Sequence, residues 1–164
     1  MVAIRCLTLS LMLALSAPLA SALAHAETNN LIGAAIVQPD ATLRVHGHRV
    51  RLYGIYVPAT GQQCRTFLSP TYCGNRAAVA LDSKIQGFVF CRTRGRHSDG
   101  SVSAFCSVER TFRSPGEDLG AYLVARGLAL AGRYAPFEYI ALERIAQSRK
   151  LGLWGFPADL IIRP

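Results

Sequence analysis

The sequence predicts an α+β protein, mainly β: a five-stranded OB-type barrel with three packed helices. Three observations predict it. Three strand-length segments open the chain after its first 30 residues, a helical stretch follows the third, and two more strands and then two helices complete the order. There is no internal repeat, low-complexity tract or interdomain linker. A chain of 164 residues favours a single domain.

Each element has its own signal. LIGAAIVQ (31–38) is largely apolar, whereas ATLRVHG (41–47) and HRVRLYGI (48–55) alternate. Pro39-Asp40 marks the first turn and Gly47, between His46 and His48, the second. Gln62 to Cys73 reads as a loop containing Pro70. GNRAAVALDSKIQG (74–87) is helical, with Ala77, Ala80, Leu81 and Lys84 at helical spacing and Gly87 as a stop. FVFCRTRG (88–95) and SVSAFCSV (101–108) form a hairpin turning through Asp99-Gly100. After a loop from Thr111 to Glu117, EDLGAYLVARG (117–127) is a short helix whose leading acids suit its N-terminal dipole. Leu119, Leu123 and Val124 give it a buried face. A third helix starts at Pro136, with Phe137, Ile140, Ala141 and Ile145 as its apolar stripe. Trp154 packs back onto the core.

Residues 1–26 read as a secretory signal: one positive charge, an apolar stretch broken by Pro18, and Ala24-His25-Ala26 as a small-x-small cleavage site. Residues 27–164 then form the mature domain, periplasmic or secreted. An uncleaved membrane anchor is the competing reading; no later run is long and apolar enough to span a bilayer. Cys64, Cys73, Cys91 and Cys106 remain after cleavage, an even number that predicts two disulfides in an exported chain. Cys91 and Cys106 lie symmetrically about Ser98-Asp99, so a hairpin there sets them opposite one another, leaving Cys64 with Cys73. Zinc is disfavoured, because no two of these cysteines have CxxC spacing.

The formal net charge is +8, and Lys84 and Lys150 are the only lysines among 18 basic residues. Excess arginine suits phosphate and carboxylate recognition; an ordinary solvated surface is the bland alternative. CRTRGRH (91–97) alternates Arg92, Arg94 and Arg96 onto one face of a strand, where three like charges repel one another unless an anion is near. That face is a candidate polyanion site, or plain edge protection. His46, His48 and His97 read as solvated turn residues rather than metal ligands. RVRLYGIYVPATGQQC (49–64) aims Arg51 from a strand and contains neither Asp nor Glu. Arg51 is either an anion contact or paired with a carboxylate such as Asp40.

The strings TLRV, HRVRLYGI and VP-T-GQ-C within 42–64, CGNRAA at 73–78, EDLGAYLVARGLAL at 117–130 and KLGLWG at 150–155 resemble, in order and spacing, the thermonuclease (staphylococcal nuclease-like) family. That resemblance implies an OB-type barrel and calcium-dependent hydrolysis of phosphodiesters in DNA and RNA. Calcium wants several oxygens, a glutamate readies the water, and two arginines stabilise the charge that builds on phosphorus-bound oxygens. Carried over residue by residue, the first metal aspartate falls at Ala41, with Asp40 at a glycine position. The second falls at Tyr56 and the water-activating glutamate at Ala59. Arg51 matches the first arginine and Ser101 stands at the second. With four of the five positions substituted, no metal site and no cofactor are expected, and hydrolysis by the family mechanism is implausible. Tyr56 would stack on a base or sugar, or fill the vacated pocket.

Three functions remain open: a non-catalytic module binding nucleic acid or an acidic polysaccharide through Arg51, Arg92, Arg94 and Arg96; a rewired nuclease using Asp40 and Arg51; and a structural or interaction protein of the envelope. The oligomeric state is not legible.

Overall fold

The computed structural model describes residues 30–60 and 75–155, together with the backbone alone of 63–65 and 70–72. The signal segment and the Cys64–Cys73 pairing lie outside the described residues. Five strands close a barrel: β1 (Asn30–Val37), β2 (Leu43–Val45), β3 (His48–Leu52), β7 (Phe88–Arg96) and β8 (Val102–Val108). β1 pairs antiparallel with β2 and β7, β2 with β3, and β7 with β8. The seam is parallel, β3 on β8, with Arg51 beside Ser103. The fold is α+β with more strand than helix, as the pattern predicts.

Alternation in sequence becomes alternation in burial. Leu43 and Val45, Val50 and Leu52, and Val102, Ala104, Cys106 and Val108 point inward and are buried. The interleaved Arg44, Arg49 and Arg51 point out. Closure leaves these barrel strands without a free edge in the ring, which an open sheet of this length would expose. Cys91 faces Cys106 and is bonded to it, as the hairpin symmetry predicts. The helices α1 (Arg76–Lys84), α2 (Leu119–Ala125) and α3 (Phe137–Ser148) pack Ala77, Leu81, Leu119, Leu123, Val124 and Tyr139 into one core with the barrel.

Shorter strands complete the set: β4 (Ile55–Tyr56) pairs with β10 (Leu130–Ala131), β5 (Gln63–Arg65) with β6 (Pro70–Tyr72), and β9 (Glu117–Asp118) with β8. Two expectations change here. The stretch around Pro70 carries a two-stranded ribbon rather than a plain loop; Pro70 tolerates it by opening its strand. Glu117 and Asp118 form a strand instead of the first turn of α2. Asp118 is the cap of that helix, accepting from the Ala121 amide at 2.8 Å.

Of the stripe expected on α3, Ile140 packs against the core and Ala141 is half-buried, but the two ends of the stripe face outward. Phe137 is 80% exposed and Ile145 46%, while Tyr139, Glu143 and Ala146 face inward. Two polar partners decide this orientation. The Tyr139 hydroxyl donates to Asp118 Oδ1 at 2.5 Å, and buried Glu143 accepts from the Ala131 amide at 3.1 Å. Once satisfied, these groups can occupy the inner face, and apolar periodicity alone misreads it. Burial and the neighbouring Asp118 carboxylate both push the Tyr139 hydroxyl well above the ordinary tyrosine range. Leu153, in the closing 3-10 turn (Gly152–Gly155), is buried against Leu130; Trp154 packs on the same pair but stays half-buried.

Candidate functional site

The outer surface of β3 carries two arginines two residues apart, and the loops beside it hold each in the same way. Asp40, in the β1–β2 turn, accepts at Oδ1 from the Thr42 amide (3.1 Å) and hydroxyl (2.7 Å), and at Oδ2 from Arg49. Asp99, in the β7–β8 turn, accepts at Oδ1 from the Ser101 amide (3.0 Å) and hydroxyl (2.6 Å), and at Oδ2 from Arg51 (2.7 Å). In both, the arginine Nε donates to the turn hydroxyl: Arg49 to Thr42 at 3.3 Å and Arg51 to Ser101 at 2.9 Å. The middle residue of each turn is left-handed, Ala41 at φ 60° and Gly100 at φ 78°. The chemistry is a duplicated Asp-x-Thr/Ser clasp.

These contacts set the charges. Hydrogen bonds from Ser101, and then from Arg51, hold the Asp99 carboxyl far below the usual carboxylate range. Burial pulls Asp40 the other way, but the bonds from Thr42 and Arg49 outweigh it and leave that carboxyl lowered as well. Arg51 therefore has a carboxylate partner, and it is Asp99 rather than Asp40. Asp99 is the residue that sequence reasoning missed. The signal was the repeat of Asp-x-Thr/Ser at 40–42 and 99–101, which only a comparison of the two turns would show.

The positions matched to a nuclease site have different surroundings. Ser101 touches Arg51, Ala41 belongs to the core, Ala59 is exposed, and Tyr56 packs on the Leu130–Leu153 pair. A pocket of about 240 Å³ opens beside the Asp40 clasp, lined by Arg44, Arg49 and Thr60 among others. Calcium takes about 6–8 oxygens. Here one carboxylate stands among guanidinium groups, and among the described residues no three His, Cys, Asp or Glu side chains come together. The described residues that line this pocket do not offer the oxygen set that calcium takes. His46 Nε2 donates to the Ile32 carbonyl at 2.7 Å, and His97 bonds Ser103.

The arginines of β7 are arranged differently from the sequence expectation. A bulge between Thr93 and Gly95 shifts the register: Arg92 stands opposite outward Phe105, whereas Arg96 stands opposite buried Val102. The alternation of the three arginines is thereby broken, because one extra residue reverses the side-chain phase. Arg92 and Arg94 remain together. The Arg92 guanidinium lies 5.8 Å from the Phe105 ring centre, and that of Arg94 lies 5.4 Å from Phe105 and 5.9 Å from Tyr53. Tyr53 and Phe105 are themselves in contact, their centres 5.0 Å apart. Among the described residues no carboxylate forms an ion pair with Arg92 or Arg94.

No protein-family profile matches the chain. Among curated proteins it is similar to the succinoglycan biosynthesis protein ExoI of Rhizobium meliloti (strain 1021), 29% identical over 133 residues. The match takes in 76% of this chain and 64% of that protein's length. A closed five-stranded barrel together with this relative is compatible with a thermonuclease-like fold.

Proposed function

We propose that this is an exported member of the thermonuclease-like barrels that has given up hydrolysis and binds a polyanion, nucleic acid or acidic polysaccharide, on the outward face of β7 and β8. One observation carries the reading. Arg92 and Arg94 are exposed, free of carboxylate partners among the described residues, and laid over aromatic rings. Stacking rings beside guanidinium groups are what a flexible anionic chain needs, since rings take its flat faces and cations its charges. Arg49 and Arg51 are already neutralised and would have to leave Asp40 and Asp99 first. The disulfide is consistent with export, and among the described residues no helix is long and apolar enough to cross a membrane. The name of the relative places that protein in polysaccharide synthesis, which favours an envelope setting, periplasmic or secreted.

Binding of oligothymidylate or oligogalacturonate to the purified protein should weaken steeply with salt. For a single-stranded nucleic acid, log K falls by about 0.7 per phosphate neutralised for each decade of salt. No salt-sensitive binding to either probe at low ionic strength would sink the reading and leave an envelope structural role. A rewired nuclease is the second reading, and Asp99 beside Arg51 is the observation in its favour. We expect no calcium-stimulated cleavage of denatured DNA; cleavage above a metal-free control would restore that reading.

A further inference from the structure

Next to the Arg92–Phe105 contact the surface sinks into a groove of about 720 Å³. Its composition is not that of a simple basic channel. Two guanidinium groups, Arg92 and Arg110, share it with three carboxylates, Glu117, Asp118 and Glu138. Phe90 and Phe105 supply aromatic surface, with Arg110 5.6 Å from the centre of the Phe90 ring. Asp118 is engaged by the α2 cap and Tyr139, and Glu117 by Lys84 at 2.8 Å. Glu138, exposed in the first turn of α3, forms no ion pair among the described residues.

We propose that this groove is a subsite for an acidic oligosaccharide, a carboxylated sugar chain, rather than for nucleic acid. The inference rests on the polyanion reading above and names the ligand class within it. A nucleic acid strand meets the same repulsion from these carboxylates as any other polyanion and brings few hydroxyl donors to offset it. A carboxylated glycan brings both kinds of group. Its carboxylates pair with the planar forks of Arg92 and Arg110. Its hydroxyls donate to carboxylate oxygens, above all to Glu138. Its ring C–H groups rest on the aromatic surface that Phe90 and Phe105 leave beside their guanidinium neighbours. The volume falls within the range of about 300–1,000 Å³ that small-ligand sites occupy.

The test compares two probes of matched charge, an oligogalacturonate and an oligothymidylate, on the wild type and on Glu138→Gln. Removing one negative charge helps both anions alike, so that effect cancels in the ratio of their affinities. The weakened acceptor costs the glycan more, since each sugar offers several hydroxyl donors and each thymidylate a single imide N–H. We expect the wild type to prefer the oligogalacturonate, and Glu138→Gln to lower that preference about fivefold, the difference between a charge-assisted and a neutral hydrogen bond. Tighter binding of the oligothymidylate, or an unchanged or larger ratio in the variant, overturns the glycan assignment while leaving the polyanion reading intact. If neither probe binds in a salt-sensitive way, both fall together.

Discussion

Ser101 shows how much one small side chain decides. It is buried, donates to Asp99, accepts from Arg51 and so holds the clasp on the barrel seam. Ser101→Ala removes the acceptor of the Arg51 Nε and a donor to Asp99, both half exposed, and should cost about 0.5–1.5 kcal/mol, read as a shifted urea midpoint with an unchanged slope. The lowered carboxyls of Asp40 and Asp99 make a second prediction. A group whose pKa is depressed by folding stabilises the protein above its ordinary value, here 3.8, and loses that contribution as pH falls toward the folded value. Thermal stability should therefore fall on acidification below about pH 4, and Asp40→Asn with Asp99→Asn should flatten that limb. An equally steep limb in the double variant would refute this role. At this scale the sequence was partly legible. Arg51, Arg92 and Arg94 stand out as outward strand arginines by alternation, but that Arg51 alone of the three meets a carboxylate, among the described residues, depends on a turn 48 residues further along the chain.

Elements were read well where one periodicity ruled and poorly where polar groups had partners. β2, β3 and β8 alternate in burial as in sequence. The face of α3 was misread in part, because Tyr139 and Glu143 are buried through bonds to Asp118 and Ala131 that no window of α3 contains. The β7 bulge was invisible for a similar reason, since register belongs to the pair of strands. The α2–α3 contact is tight. A Cβ on Gly120 would lie 2.5 Å from the Tyr139 hydroxyl oxygen. Gly120→Ala should destabilise by about 1–3 kcal/mol through overpacking. Tyr139→Phe removes the nearest atom and one hydrogen bond, so the two changes together should cost less than their sum in a denaturation cycle. Strict additivity would show that the helices do not meet there.

For the whole molecule, the order of strands and helices sufficed to predict a barrel, because few closed arrangements accept a helix after the third of five strands. Hairpin symmetry placed Cys91 against Cys106 for the same geometric reason. That bond closes a loop with a sequence separation of 15, and losing it through Cys91→Ala with Cys106→Ala should cost about 3 kcal/mol, seen as a lowered Tm. What the order of elements does not settle is which of the outward cations are free. The free cations are those of β7, Arg92 and Arg94, whereas those of β3 are spent on the two clasps. The most direct test is the slope of log K against log salt for oligothymidylate binding. Arg92→Ala with Arg94→Ala should flatten that slope by about 1.4, while Arg49→Ala with Arg51→Ala should leave it as in the wild type. A slope untouched by the β7 pair, or flattened by the β3 pair, would contradict the account.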